Sequence, residues 1–147
     1  MLKGLFKYSK YRKMFLIILC VLLALIFIFF VPKSKKDFES ISGQFNIFFG
    51  QYDKGISKLS KNPSHKNNFE LVMKAKYSKG KKLYKGENYY ESQVTFNEIL
   101  DYRDSRIWYK DSIYQIGKIY YANSLYNDSL AYFSKIEDYS DAYVYLM

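Results

Sequence analysis

Asp101 and Asp104 stand three residues apart in the stretch EILDYRDSRIWY, in the company of Arg103 and Arg106. Paired carboxylates can divide the roles of general acid and general base, or supply half of a metal site. The stretch KIEDYSDAYVYL repeats the arrangement as Asp138 and Asp141, 37 residues further on. Catalysis needs no second copy at a fixed interval, so the recurrence points to structure. Other reactive residues are sparse. His65 is the single histidine, and the single cysteine, Cys20, lies in an apolar run, which leaves no set of ligands to share a zinc ion. There is no Gly-rich phosphate loop, no G-x-S-x-G elbow and no Cys/His pair. No catalytic residue, metal site or cofactor is expected, and the chain is not expected to be an enzyme.

The elements that would carry any site begin with residues 14–31, MFLIILCVLLALIFIFFV, which hold no charge, glycine or proline. As a helix they would span about 27 Å, close to the roughly 30 Å core of a bilayer. The expectation is a single transmembrane helix over 14–31, behind a basic tail over 1–13. A cleaved signal peptide fits the basic start, but the run is long for one and FFVPKSKKD has no small-x-small cleavage site. Lys3, Lys7, Lys10, Arg12 and Lys13 precede the run, and Lys33, Lys35 and Lys36 follow it. That bias favours a single-pass plasma-membrane protein with its N-terminus cytoplasmic and its C-terminal domain extracytoplasmic.

The net charge of +9 is unevenly spread: residues 1–32 carry +5, residues 33–82 carry +8 and residues 83–147 carry −4. A nucleic-acid binder would concentrate its cations on the folded module, so nucleic acid is not an expected partner. Positive charge beside the apolar run suits anionic lipid headgroups, with Lys33, Lys35 and Lys36 in the charged collar over 32–37.

Beyond the collar the periodicity is helical, and no strand is predicted. Phe38, Ile41, Phe45, Phe48 and Phe49 recur at steps of three and four, on one helical face. Pro63 and its polar neighbours mark a loop in SKNPSHKNN, and another helical pattern starts near Asn67. The strongest signal is repetition. Shifted by 37 residues, GKKLYKGENYYESQVTFNEILDYRDSRIWY overlays GKIYYANSLYNDSLAYFSKIEDYSDAYVYL with ten identities in thirty positions and no gap. The repeat frames are 80–109 and 117–146. Each reads as two helices, broken at KGEN or ANSL. Gly80 and Gly117 lie in the first helix; Tyr89, Ser92, Phe96 and Ile99, or Tyr126, Ser129, Phe133 and Ile136, share one face of the second. The small Ser lets the partner helix approach, and the Phe fills the gap. Asn88, three residues ahead of Glu91, reads as an N-cap.

This order of residues resembles the tetratricopeptide repeat, in which helix pairs stack into a solenoid. The resemblance covers 66–147, with 38–65 as a degenerate earlier unit in which Tyr52, Gly55 and Leu59 mimic Tyr89, Ser92 and Phe96. The unit is a few residues longer than that family's, and DYRDS or DYSDA replaces its inter-repeat proline, as in membrane-anchored bacterial members. The implied fold is all-α, a membrane helix followed by a short α-solenoid of helix-turn-helix repeats. The implied function is a membrane-anchored scaffold for protein-protein interaction at the bacterial cell envelope, without catalysis. Its partner would be another membrane or envelope protein. A self-associating structural subunit is the alternative, since the run YVYLM lacks the polar cap of a closed solenoid. Aromatics off the repeat skeleton are the candidate partner-binding residues: Tyr77, Tyr90, Trp108, Tyr109 and Tyr114. Asp104 and Asp141 fall at the junction between helix pairs and are expected to cap the helices that follow.

Overall fold

The computed structural model describes residues 9–30 and 33–146, with side chains described over 13–23 and 33–146. The chain divides into two units, Met1–Phe38 and Glu39–Met147. In the first, α1 runs over Ser9–Phe30. Ser34 then opens the next helix: its Oγ accepts from the Asp37 N–H at 3.1 Å and donates to the Asp37 carboxylate at 2.8 Å. Lys33, Lys35 and Lys36 are exposed.

Among the described residues no helix is long and apolar enough to cross a membrane. This corrects the transmembrane helix expected over 14–31, with the bilayer contact and the single-pass plasma-membrane placement that followed from it. Of the expected span, the described side chains are those of residues 14–23. The remainder of 14–31, and residues 1–12 of the basic tail, lie outside the described side chains.

The second unit is all-α and built from helix pairs. A longer helix precedes a shorter one each time: α2 (Lys35–Phe48, begun in the first unit) and α3 (Tyr52–Ser60), α4 (Asn68–Lys85) and α5 (Tyr89–Asn97), α6 (Ser105–Ala122) and α7 (Tyr126–Phe133). A 3-10 helix over Ala142–Leu146 follows. With α1 this makes seven α-helices among the described residues, and no strand. Each helix packs on the next in chain order from α3 to α7.

One close approach recurs in every pair. A Cβ on Gly80 would stand 2.7 Å from the Phe96 ring, and one on Gly117 would stand 2.9 Å from the Phe133 ring. Gly43 faces Leu59 in the same way, at 2.8 Å. Phe96, Phe133 and Leu59 are each fully buried, worth about 1.5–3 kcal/mol apiece for the area removed from water. Beside them Ser92 Oγ donates to the Gly80 carbonyl at 3.2 Å, and Ser129 Oγ to the Gly117 carbonyl at 2.9 Å. Gly55 takes that serine position in the first pair. Ser92 also meets Ser112 Oγ of α6 at 3.0 Å, tying one pair to the next.

The turns repeat as faithfully as the packing. Gly50, Glu87 and Ser124, which end the longer helices, have φ of 73°, 61° and 61°. Lys66, Arg103 and Ser140, between pairs, have φ of 51°, 52° and 54°. Both sets recur at the 37-residue interval. Residues 43–68 therefore adopt the geometry of the two later units, although few of their residue types agree.

Just past each inter-pair turn a small residue is fully buried: Asn68, Ser105 or Ala142. Asn68 is bonded on both sides, accepting from Ser40 Oγ at 2.7 Å and donating to the Asn62 carbonyl at 2.9 Å. Ser105 Oγ has no hydrogen-bond partner. An unsatisfied buried hydroxyl costs about 1–3 kcal/mol. Ser105→Ala, which copies Ala142, is expected to leave stability unchanged or raise it by about 1 kcal/mol. Urea unfolding of the two chains measures this, and a clear loss would reveal a partner for the hydroxyl.

Candidate functional site

Tyr77 and Tyr114 are themselves 37 residues apart, and the structure gives them one job. The Tyr77 hydroxyl donates to Asp104 Oδ1 at 2.6 Å, and the Tyr114 hydroxyl donates to Asp141. Each ring meets the buried Phe of its own pair edge-on, with centroids at 6.0 Å for Tyr77–Phe96 and 5.7 Å for Tyr114–Phe133. Each also meets the junction tyrosine, Tyr102 at 5.9 Å or Tyr139 at 6.3 Å. Trp108 donates its indole N–H to Asp104 Oδ2 at 3.0 Å and stacks on Phe96 at 6.1 Å. Tyr145 stacks on Phe133 at 4.3 Å in the equivalent place. Tyr109 packs against the cluster of Ile113, Tyr114, Phe133 and Ile136. Four of the five aromatics picked out in the sequence thus hold repeats together. Tyr90 differs: it is 63% exposed.

The capping role assigned to Asp104 is corrected by the same contacts. Its side chain makes no capping hydrogen bond to α6, because both carboxylate oxygens are taken by Tyr77 and Trp108. Asp141 accepts from Tyr114 and, at 3.3 Å, from Ser140 Oγ. The aspartates bind the junction to the helix behind it. Asn88 does cap α5, accepting from the Glu91 N–H at 3.4 Å. Asp101 pairs with Arg106 and Asp138 with Lys110, at 2.9 Å and 2.6 Å, both on the solvent-exposed surface where ion pairs add little to stability. The two aspartates of each motif therefore have separate partners and no shared site. Among the described residues no group of His, Cys, Asp and Glu is placed to hold a metal.

These contacts set the titration of the junctions. The Tyr77 hydroxyl holds Asp104 below the usual carboxylate range, and Tyr114 does the same for Asp141. Lys110 lowers Asp138. The same bonds, together with burial, push Tyr77 and Tyr114 above the ordinary tyrosine value of 10.0. A carboxylate with a depressed folded pKa contributes stability above its unfolded value, about 3.9, and loses it as pH falls through the folded value. A tyrosine with a raised folded pKa contributes below about 10 and loses it as pH climbs through the folded value. The contribution of the junctions is expected to be flat from about pH 5 to pH 9 and to fall on both sides. Tyr77→Phe with Tyr114→Phe should flatten both limbs in thermal melts taken across that range. Asp104→Ala removes two hydrogen bonds to an exposed, solvent-screened carboxylate and is expected to destabilise by about 1 kcal/mol in urea unfolding.

The surface not used for stacking has two notable parts. Ile41, Phe45 and Phe48 on α2 and Phe49 just past it face solvent, the three phenylalanines 64%, 82% and 59% exposed. Their rings touch one another, Phe45–Phe49 at 4.6 Å and Phe48–Phe49 at 5.2 Å. The sequence marked this stripe as apolar but not as uncovered. The second part is α4, where Lys76 pairs with Glu98 and Lys79 with Asp53, at 2.7 Å and 2.5 Å. Lys82 and Lys85 have no carboxylate partner among the described residues. They rim a cleft of about 450 Å³ walled by Tyr52 and Tyr77. A neighbouring cleft of about 550 Å³ shares Tyr52 and Lys82 with it and reaches Leu83 and Gly50.

In comparison with known proteins, no family model matches the chain, and neither does any curated protein or solved structure.

Proposed function

We propose that the chain is a protein-binding scaffold of the tetratricopeptide-like kind and has no catalytic role. The observation that carries this is the aromatic patch at the end of α2, Phe45, Phe48 and Phe49, whose exposed rings lie against one another. An array of helix pairs presents a fixed surface, and grouped aromatics on such a surface bury much area at little entropic cost. The paired carboxylates that suggested acid-base chemistry bind tyrosine, tryptophan, lysine and arginine instead.

The test is photocrosslinking in cells that produce the full chain. A photoreactive phenylalanine analogue in place of Phe48 is expected to trap a discrete protein partner, and one in place of the buried Phe133 to trap none. No protein adduct at Phe48 would end the scaffold reading. An adduct with the mass of two copies would identify self-association, the reading that the same exposed face also allows.

A further inference from the structure

The geometry points to an acidic segment with a bulky apolar anchor as the partner of this surface, bound along the groove from Phe49 to Lys85. The inference rests on the scaffold reading and adds the chemistry of the ligand. Three features in sequence and space support it.

The apolar end comes first. Phe48 and Phe49 immediately precede Gly50, whose φ of 73° turns the chain out of α2. The side-chain-free Gly50 leaves the way open toward α4, where a Cβ would lie 3.8 Å from Lys82 Nζ. Beyond Gly50 the two clefts meet at Tyr52 and Lys82, whose Nζ stands 5.9 Å from the Tyr52 ring centroid. Phe48 and Phe49 line neither cleft but adjoin the larger one through Gly50, so an exposed apolar patch and a basic rim meet at that turn.

The charge is uncompensated. Lys76 and Lys79 of α4 are tied to Glu98 and Asp53 and Lys81 lies over the rings of Tyr77 and Trp108, yet Lys82 and Lys85 have no carboxylate partner among the described residues. The carboxylate that lines the larger cleft, Asp53, is already engaged by Lys79. Lysines in the last turn of a helix are favoured by its dipole, which explains their position but not the clefts they border. A carboxylate there finds cations beside the Tyr52 and Tyr77 rings, an attraction that salt screens.

The shape separates a peptide from a bilayer. Lys82 borders two shallow, open clefts of about 550 and 450 Å³ and Lys85 the smaller of them, room enough for single side chains to enter. A lipid surface is flat on that scale and would meet protruding residues alone. An extended or helical segment can place a Leu, Phe or Trp on the Phe48–Phe49 end and its Asp or Glu residues over Lys82 and Lys85.

The experiment is selection of a randomised displayed peptide library on the purified full chain in a non-ionic detergent, run in parallel on the Lys82→Glu, Lys85→Glu variant. Both lysines are exposed, so the variant should keep the parent's thermal midpoint; Lys82→Gln, Lys85→Gln serves as a milder second variant. The expected result is enrichment of peptides that join an aromatic or leucine to two or more acidic residues. Their affinity should fall about tenfold or more on the Glu variant and with rising salt. Enriched peptides that are neutral or basic, or that bind the variant equally, overturn the acidic partner while leaving the scaffold reading in place. No enrichment on either chain overturns both. Two other occupants would also overturn it: phosphatidylserine vesicles that bind the parent chain but not the variant, with no peptide enriched, or a second copy, seen as an oligomer that the variant disperses in sedimentation.

Discussion

Phe96→Ala is expected to destabilise the helix array by about 3–5 kcal/mol, the range for removing a fully enclosed aromatic ring. The ring is 0% exposed and is held on three sides: by the α4 backbone at Gly80, by the edge of Tyr77 and by the stacked face of Trp108. Collapse into the void would recover some of the loss. Tyr77 and Trp108 cannot follow easily, because both are anchored to Asp104. The cavity should therefore persist, and the cost should lie well above simple transfer of the ring to water. Whole domains are stable by about 5–15 kcal/mol, so this one change removes a large share. Phe96 lies in the middle pair, and the array holds together through neighbouring contacts, so unfolding should also lose cooperativity. Urea unfolding followed by circular dichroism tests both points. A shift under about 1 kcal/mol with an unchanged slope would mean that the ring is not the keystone of its pair.

The second large effect concerns Gly55→Ala, where two opposing terms must be weighed. Alanine is the better helix former by about 1 kcal/mol, which would stabilise α3. Against that, a Cβ at Gly55 would stand 2.4 Å from Ile47 Cγ1, 2.8 Å from the Gly43 carbonyl oxygen and 3.1 Å from the Ile47 amide nitrogen. The isoleucine side chain can rotate away; the backbone of α2 cannot. The helices must separate, and overpacking of this kind costs about 1–3 kcal/mol, occasionally more. The clash wins, and a net loss of about 1–2 kcal/mol is expected in the thermal midpoint. Serine stands at the equivalent place in the later pairs, where its Oγ reaches the Gly80 or Gly117 carbonyl. The first pair is thus packed more closely than its successors. An unchanged or raised midpoint would show that α2 and α3 have room to part.

The interval between repeats was legible because the residues that set helix spacing kept their types. Gly80 with Phe96 and Ser92, and Gly117 with Phe133 and Ser129, stand out by identity and meet in space. The first pair was harder to read because its residues changed together. Leu59 replaces the phenylalanine and Gly55 the serine, so the volumes still fit while the identities vanish. Tyr77 and Tyr114 were within reach: the match extends three residues ahead of Gly80, through YSKG and YQIG. Stopping at the glycine made them look like spare aromatics. Asp104 shows a different limit. A carboxylate ahead of a helix suits a cap by local rules, and only tertiary structure shows that Tyr77 and Trp108 reach it first. The clefts beside α4 could not be read at all, since they join Gly50 and Tyr52 to Lys82 and Lys85, about thirty residues on. The apolar run over 14–31 was plain in composition, yet among the described residues no helix is both long and apolar enough to cross a membrane.

The left-handed turns bear on where the stability of this array resides. Gly50 is the one glycine among the six turn positions; Lys66, Glu87, Arg103, Ser124 and Ser140 occupy the others. Each of those five carries steric strain of about 1–2 kcal/mol in the folded chain that glycine would escape. Yet each also restricts the denatured chain, which has fewer conformations to lose on folding than a glycine-rich one would. That gain, about 0.4–1 kcal/mol at a bend, offsets only part of the strain, so the bends are held by the packing of the helices on either side. The balance at each bend is therefore set as much by the unfolded ensemble as by any contact of the folded chain.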